Sequence, residues 1–161
     1  MKKILVFGNS GSGKSTLAKK LSADQGLGHL DLDLLAWLPT SPPTRKDLLE
    51  SDKEIEIFVK KNKQWVIEGC YTDLLELVAT QANEMIFLDL PIEACIANAQ
   101  ARPWEPHKYL SKQVQDENLE MLIDWISQYV QREDTFSRCA HLAFYEKFSG
   151  CKTSLTSNSE L

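Results

Sequence analysis

Residues 8–16 carry the most specific chemical signal in this chain. They read Gly-Asn-Ser-Gly-Ser-Gly-Lys-Ser-Thr, follow the apolar run 4–7, and lead into a segment with helical spacing that starts at Lys14. Glycine permits the backbone angles that turn successive N–H groups inward around an anion. The positive end of the following helix dipole would face the same anion. The stretch therefore predicts a loop that holds phosphate groups.

The spacing within this stretch narrows the choice of anion. Gly8, Gly13, Lys14 and Ser15 match the G-x-x-x-x-G-K-[ST] pattern of a P-loop, in the strand–loop–helix context that the pattern requires. The Lys14 ammonium can reach the β- and γ-phosphates of a nucleoside triphosphate, and the Ser15 hydroxyl can coordinate Mg²⁺. The spacing therefore predicts a site for a nucleoside triphosphate and Mg²⁺. The residues predicted to hold them are Gly8, Asn9, Ser10, Gly11, Ser12, Gly13, Lys14, Ser15 and Thr16.

Length, charge and hydropathy limit the classes of protein to which the chain can belong. At 161 residues it is long enough for one domain with a buried core. The formal net charge of −5 disfavours a broad nucleic-acid-binding face, and the apolar segments are too short to span a membrane. We therefore expect a cytoplasmic protein without a nucleic-acid or membrane partner. The four cysteines, which are far apart and expected to stay reduced, are Cys70, Cys95, Cys139 and Cys151.

Hydrophobic periodicity predicts strands and helices in alternation along most of the chain. The predicted strands are 3–7, 29–34, 64–69, 85–89 and, more weakly, 151–155. The predicted helices are 14–23, 44–62, 73–81, 92–101, 111–131 and 135–148, and the proline-rich stretch 36–43 is predicted to be irregular. Such alternation is typical of an α/β fold with a parallel sheet.

Three acidic residues are predicted near the carboxyl ends of strands. Asp31 and Asp33 lie near the end of the second predicted strand, and Glu68 lies near the end of the third. In open α/β sheets ligands bind beyond these ends, where the P-loop also lies. Glu68 is therefore predicted at the magnesium ion, and Asp31 and Asp33 are each predicted at metal-bound water or at the hydroxyl group of a substrate. The alternative for either aspartate is a residue that caps a turn or faces solvent.

Other charged side chains give weaker predictions. Arg45 is predicted in the first turn of a helix, where a cation is unfavourable, so it either contacts an anionic substrate or is an ordinary surface charge. His107 and His141 are expected to be structural rather than general bases.

The motifs, taken together, resemble P-loop kinases of the nucleoside-monophosphate-kinase type, and in particular the small topology modulation and shikimate-kinase-like proteins. The resemblance rests on the P-loop and on the stretches 65–71 (Trp-Val-Ile-Glu-Gly-Cys-Tyr), 86–91 (Ile-Phe-Leu-Asp-Leu-Pro) and 132–134 (Arg-Glu-Asp). It implies a single P-loop NTPase domain over residues 1–161, a three-layer α/β sandwich. A five-stranded parallel sheet of order 2-3-1-4-5 would have helices on both faces. An acceptor arm would occupy about 34–64 and a helical lid about 102–134.

The same resemblance assigns roles to further residues. Arg102 and Arg132 resemble lid arginines that stabilise the transferring phosphoryl group, and Asp31 and Asp33 resemble a D-x-D pair that serves Mg²⁺ and the substrate hydroxyls. The chain also departs from the pattern. Asn98 and His141 stand where related nucleotide kinases carry arginines, and the glycine triplet and acceptor-binding arginine pair of shikimate kinases are not found in the sequence.

Two functions follow as expectations. The first is transfer of the γ-phosphoryl group of Mg-ATP to a small-molecule acceptor, either a nucleotide or a shikimate-like hydroxy compound, by a monomer or homodimer. The second is a nucleotide-responsive regulatory ATPase of the topology modulation type, without such an acceptor. A GTPase is less favoured, because 62–65 (Asn-Lys-Gln-Trp) lacks the final acid of the guanine-binding N-K-x-D motif.

Overall fold

Seven strands and six α-helices form the described part of the chain. The structure, a computed structural model, describes residues 1–160. The strands are β1 (Lys3–Gly8), β2 (Gly28–Asp31), β3 (Trp37–Leu38), β4 (Thr44–Arg45), β5 (Trp65–Gly69), β6 (Glu84–Leu88) and β7 (Cys151–Leu155). The helices are α1 (Lys14–Gln25), α2 (Leu48–Lys61), α3 (Thr72–Val78), α4 (Ile92–Ala101), α5 (Lys112–Ser127) and α6 (Arg138–Lys147). None of the helices within residues 1–160 has the length and hydropathy of a membrane span.

A five-stranded sheet with every neighbouring pair parallel forms the middle layer. Its order is β2-β5-β1-β6-β7, which is 2-3-1-4-5 when only its own strands are counted, so the predicted order is confirmed. The register places Glu68 of β5 opposite Val6 of β1 and opposite Asp31 of β2. The carboxyl ends of these strands therefore bring the two acids and the loop after β1 to one edge of the sheet.

Helices cover both faces of this sheet, as predicted. Alternate residues of β1 point to opposite faces, because side chains in a strand alternate with a period of two. Ile4 and Val6 pack in one cluster with buried residues of α1, α4 and α5, whereas Leu5 and Phe7 pack in another with residues of α2, α3 and α6. The central strand is thus buried on both sides and fixes the position of the loop that follows it.

The segment 36–47 differs from the prediction. β3 and β4 pair antiparallel as a short hairpin, with Trp37 opposite Arg45, and the backbone N–H of Lys46 donates to Ala36 O at 2.8 Å. Because the hairpin uses this backbone, α2 begins at Leu48 instead of residue 44. The placement of Arg45 in the first turn of a helix was therefore wrong.

Three further boundaries also differ. β2 ends at Asp31 and is followed by a short 3₁₀ turn, Leu32–Leu34, so Asp33 lies outside the strand. α5 ends at Ser127 and α6 begins at Arg138. The Ser137 hydroxyl accepts a hydrogen bond from the N–H of Ala140 at 3.0 Å, which is the geometry of an N-cap and sets the start of α6.

His141 is a buried structural residue, in agreement with the expectation. Its Nε2 lies 2.8 Å from the carbonyl oxygen of Cys70 and its Nδ1 lies 2.7 Å from the Tyr129 hydroxyl. A neutral ring satisfies both contacts if Nε2–H donates to Cys70 and Nδ1 accepts from Tyr129. Burial lowers the pKa of His141 to about 4, although the hydrogen bond to the Cys70 backbone opposes this shift.

The buried neutral ring predicts an acid-dependent loss of stability. The unfolded chain protonates His141 near its ordinary pKa of 6.5, whereas the folded protein resists protonation until about pH 4. Stability is therefore fully present above pH 6.5 and falls as the pH falls from 6.5 towards 4. Between pH 7 and pH 4.5 the free energy of unfolding, measured with urea, should fall by about 2 kcal/mol more in the wild-type protein than in His141→Gln. Equal losses in the two proteins would contradict this assignment, because the carboxylates are common to both.

Candidate functional site

The loop between β1 and α1 has a backbone that only glycine can adopt without strain at two positions. Gly11 has φ +77° and Gly13 has φ +93°, both in the left-handed region. A Cβ atom on Gly11 would lie 2.4 Å from the carbonyl oxygen of Cys95, and one on Gly13 would lie 2.8 Å from Asn158 Nδ2. Gly13 of the predicted pattern, and Gly11 within the same loop, are therefore required by the geometry of the loop.

Hydrogen bonds to three distant segments hold this loop in place. Asn9 Nδ2 donates to the carbonyl oxygen of Ile126 in α5 at 3.2 Å. Asn98 of α4 donates to Gly11 O at 2.8 Å and to Asn158 Oδ1 at 2.7 Å, and Asn158 Nδ2 donates to Ser12 O at 3.0 Å. The Asn98 side chain thus braces the loop.

Lys14 and Ser15 begin α1 and carry the polar groups expected of a nucleotide site. Lys14 Nζ donates to the carbonyl oxygen of Asn9 at 2.7 Å, so its ammonium lies back across the loop. Ser15 Oγ donates to Glu68 Oε1 at 3.0 Å, and Glu68 Oε2 lies 2.9 Å from His29 Nε2. Glu68 is only 1% exposed. Its orientation is therefore fixed from both sides, with one oxygen held beside the Ser15 hydroxyl.

This donor set fits a nucleotide-bound Mg²⁺. Within residues 1–160 no group of three or more His, Cys, Asp or Glu side chains is arranged to hold a metal by itself. Mg²⁺ in nucleotide sites is held by one or two protein oxygens, several waters and the phosphates. A serine hydroxyl at 3.0 Å from a buried carboxylate supplies oxygens of this type.

Asp31 is buried at the end of β2 and acts as a cap. Its Oδ1 accepts from the backbone N–H of Asp33 at 2.9 Å, which fixes the 3₁₀ turn. Burial, together with the nearby carboxylates of Asp33 and Glu68, raises the pKa of Asp31 above its ordinary value. Asp31 therefore caps a turn, which is the alternative predicted for it from the sequence. Its second oxygen, Oδ2, lies 3.5 Å from Lys108 Nζ.

Asp33 is held by two neighbours that the sequence did not predict. The Tyr71 hydroxyl donates to Asp33 Oδ1 and itself accepts from Trp37 Nε1 at 2.8 Å. Lys108 Nζ donates to Asp33 Oδ2 at 2.9 Å. Partial burial raises the pKa of Asp33, but the Lys108 ammonium and the Tyr71 hydroxyl outweigh it and lower the pKa below its ordinary value. The carboxylate is therefore ionised in the neutral range.

A cavity of about 630 Å³ joins the loop to these acids. Five of the eight residues predicted to be catalytic, metal-binding or substrate-binding line it: Lys14, Ser15, Asp33, Glu68 and Arg102. It is also lined by Ser10, Gly11, Gly13 and Thr16 of the loop and by Glu105, Lys108 and Tyr109 of the segment after α4. The structure thus brings most of the predicted phosphate, metal and substrate residues to one space. Cys70 lines this space as well, and burial raises the pKa of its thiol to about 12, so it is not a thiolate nucleophile there.

Three predicted site residues, Asp31 and two arginines, do not line this cavity. Arg132 lies over the Trp125 ring, 3.5 Å from its centroid, and donates to the Trp125 carbonyl oxygen at 3.0 Å. Arg45 donates to both carboxylate oxygens of Asp73 at 3.1 Å. Its guanidinium lies within 6 Å of the aromatic rings of Trp37, Tyr71 and Phe136.

Sequence reasoning missed Lys108, Tyr71, His29 and Asn158. Lys108 lies in a proline-broken segment without periodicity, so no local pattern marks it. Tyr71 closes the stretch that carries the family resemblance, but its type alone gives no partner. His29 precedes Asp31 by two residues on β2, and side chains two residues apart in a strand point to the same face. This alternation was the signal that could have placed His29 on the same side of the sheet as Asp31.

No family model matches the chain. A curated relative, Uncharacterized protein YqaC of Bacillus subtilis (strain 168), is 27% identical over 135 residues, which are 80% of this chain and 72% of the relative.

Solved structures resemble the fold across nearly the whole chain. An unliganded sugar kinase from Janibacter sp. HTCC2649 aligns with a TM-score of 0.56 and 14% identity over 97% of this chain and 85% of that chain. An uncharacterized protein from Eubacterium ventriosum ATCC 27560 aligns with a TM-score of 0.51 and 16% identity over 99% of this chain and 93% of that chain. A shikimate kinase from Bacteroides thetaiotaomicron has a TM-score of 0.48 and 17% identity over 79% and 78%. The first two likenesses, with the sheet order, show an α/β fold of the kind found in the sugar kinase.

Proposed function

We propose that this protein is an ATP-dependent phosphotransferase that moves the γ-phosphoryl group of Mg-ATP to a hydroxyl group of a small molecule. The observation that carries the proposal is one shared cavity. The glycine loop, the Lys14 ammonium, the Ser15–Glu68 pair and the Asp33 carboxylate all line it. Phosphoryl transfer requires this combination of phosphate seat, metal oxygens and a carboxylate near the acceptor.

Each residue has a role that follows from its position. The loop N–H groups and Lys14 would hold the triphosphate, and Ser15 and Glu68 would hold Mg²⁺, with Asp31 opposite Glu68 on the neighbouring strand. The metal, when bound, offsets the negative charge of the β- and γ-phosphates. Asp33 accepts the proton of the acceptor hydroxyl, which is reasonable for a carboxylate that is ionised at neutral pH.

Arginines complete the proposed mechanism. Arg102 lines the cavity, and its Nη1 lies 3.2 Å from Glu105 Oε1, so a short movement of the segment after α4 would present it to the phosphoryl oxygens. Arg132 would contribute only after leaving Trp125. Arg45 would bind substrate only after leaving Asp73. We therefore assign the phosphoryl-stabilising role first to Arg102, whose planar guanidinium suits phosphate oxygens.

The direct test is acceptor-dependent formation of ADP from Mg-ATP. Purified protein is incubated with Mg-ATP and a panel of hydroxyl compounds, and ADP is followed by a coupled assay. We expect at least one acceptor to raise the rate well above the rate without acceptor. ADP formation that no acceptor changes would contradict the kinase assignment.

A regulatory ATPase of the topology modulation type is a second candidate. The observation that favours it is the placement of Arg132 and Arg45, which are engaged with Trp125 and Asp73 instead of the cavity. Such a protein would bind Mg-ATP, hydrolyse it slowly and signal through movement of the segment after α4. Slow hydrolysis without any acceptor effect, together with nucleotide-dependent capture of a partner, would select this candidate.

Replacing Glu68 tests the proposed metal seat. Glu68→Gln keeps the size of the side chain but removes the negative charge beside Ser15, so we expect the Mg²⁺ concentration for half-maximal ATP turnover to rise about 10- to 100-fold. Glu76→Gln, on the exposed face of α3, is the matched control and should leave this concentration unchanged. An unaltered Mg²⁺ requirement in Glu68→Gln would exclude this residue from the metal site.

A further inference from the structure

A chain of two hydrogen bonds runs from the β3–β4 hairpin to the carboxylate of Asp33. Trp37 Nε1 donates to the Tyr71 hydroxyl at 2.8 Å, and the Tyr71 hydroxyl donates to Asp33 Oδ1. Trp37 belongs to β3, Tyr71 lies between β5 and α3, and Asp33 lies in the 3₁₀ turn after β2. Three separate elements therefore meet at this carboxylate, and the proposed function gives a role to Asp33 alone.

This hydrogen-bond chain has a fixed direction. An indole N–H donates and cannot accept, so the Tyr71 hydroxyl is the acceptor in its bond with Trp37. The single proton of the hydroxyl is then directed to Asp33 Oδ1, because an ionised carboxylate only accepts. Trp37 thus sets the orientation of the hydroxyl, and the hydroxyl sets the position of one oxygen of Asp33.

The Tyr71 ring that carries this hydroxyl is firmly held. Tyr71 is only 3% exposed. Its ring makes edge contacts with Trp37 and Phe136, at centroid distances of 6.3 Å and 5.3 Å. The Arg45 guanidinium lies 5.0 Å from the centre of the same ring and is itself paired with Asp73. A donor fixed in this way can orient a carboxylate without first being ordered itself.

The two oxygens of Asp33 have different surroundings. The side chain is 39% exposed, so without a fixed partner it would rotate among staggered rotamers. Oδ1 is bound by Tyr71, and neither Tyr71 nor Trp37 is among the residues that line the cavity. Oδ2 is bound by Lys108, which does line it. A carboxylate oxygen accepts more than one hydrogen bond, so Oδ2 can accept from a second donor beside Lys108.

We propose that Tyr71 and Trp37 are positioning residues, which hold Oδ1 of Asp33 so that Oδ2 faces the hydroxyl group of the acceptor. Phosphoryl transfer depends on the alignment of the acceptor oxygen, and a displacement of about 1 Å can cost 10²-fold in rate. The hairpin thereby contributes to the reaction through Asp33, without contact with the reacting atoms. This inference rests on the proposed function and adds two residues to its site.

The indole N–H resonances of the tryptophans test the chain without any assay of activity. The sequence has four tryptophans, and Trp37→Phe identifies the resonance of Trp37 in a ¹⁵N–¹H spectrum. Hydrogen bonds in a chain polarise one another, so loss of the charge in Asp33→Asn should shift the Trp37 resonance. Asp24→Asn, on an exposed position of α1, is the control and should leave that resonance in place. A Trp37 resonance that Asp33→Asn does not move would overturn the inference.

Kinetics of Tyr71→Phe test the positioning role. Turnover is measured with Mg-ATP and whichever of inositol, glucose, shikimate, gluconate and thymidine the wild-type protein phosphorylates fastest. Tyr71→Phe should lower kcat about 10- to 100-fold and leave the dissociation constant of Mg-ATP within about threefold of wild type. Trp37→Phe, which leaves the Tyr71 hydroxyl in place, should lower kcat by only about three- to tenfold. In the Asp33→Asn background, Tyr71→Phe should change kcat by less than about threefold, because the group it positions is already lost.

Tyr129→Phe is the matched control for the loss of a buried tyrosine hydroxyl. Tyr129 is 1% exposed and its hydroxyl lies 2.7 Å from His141 Nδ1, so this variant should lower the Tm as Tyr71→Phe does but keep the wild-type kcat. A wild-type kcat in Tyr71→Phe, or equal losses with and without Asp33→Asn, would overturn the inference and leave the kinase assignment standing. If the wild-type protein phosphorylated none of the five compounds, the proposed function and this inference would both be overturned.

Discussion

Lys14→Ala should abolish tight binding of Mg-ATP and lower acceptor-dependent ADP formation by about 10³-fold. The ammonium lies 2.7 Å from the Asn9 carbonyl oxygen, and Lys14 lines the cavity together with residues of the glycine loop. It carries the positive charge closest to the predicted β- and γ-phosphates, and a methyl group can replace neither its charge nor its hydrogen bonds. The measurements are calorimetric titration with Mg-ATP and steady-state turnover.

The fold should survive this substitution, because Lys14 lies at the surface of the loop and is absent from both apolar clusters. Lys20→Ala, on an exposed position of the same helix, is the matched control and should bind and turn over Mg-ATP as the wild-type protein does. If Lys14→Ala turned over Mg-ATP within about threefold of the wild-type rate, the loop would be excluded from the catalytic site.

Asp33→Asn has the second-largest expected effect. The amide keeps the size of the side chain but cannot accept the proton of an acceptor hydroxyl, so kcat should fall about 10²- to 10⁴-fold. The dissociation constant of Mg-ATP should change by less than about threefold, because Asp33 contacts Tyr71 and Lys108 instead of the loop. The split between kcat and nucleotide affinity is the diagnostic result.

Asp24→Asn, on an exposed position of α1, is the control for removing one negative charge and should leave both constants unchanged. Equal loss of nucleotide binding and of turnover in Asp33→Asn would place the carboxylate at the metal and exclude the proposed role as proton acceptor.

The glycine loop and the sheet order could be predicted from the sequence because each depends on local patterns. The loop requires glycines at fixed positions, and Gly13 of the pattern adopts a left-handed angle. The apolar strands that alternate with helices are compatible with few topologies, and the family resemblance selected the observed order. Glu68 could be placed because it closes a strand next to β1.

Residues that depend on distant contacts could not be placed in the same way. Lys108 reaches Asp33 across 75 positions of sequence, and nothing near it signals that contact. Arg45 pairs with Asp73 across 28 positions and is enclosed by aromatic rings from three separate segments. Those contacts, together with the β3–β4 hairpin, outweigh the helical periodicity that predicted a helix from residue 44.

The central claim is that the loop between β1 and α1 binds the triphosphate of a Mg-nucleotide complex. Isothermal titration calorimetry of the wild-type protein with Mg-ATP, paired with thermal unfolding at saturating nucleotide, tests it most directly. We predict saturable binding at one site and a raised Tm, both lost in Lys14→Ala. No heat and no shift in Tm with either Mg-ATP or Mg-GTP would contradict the account.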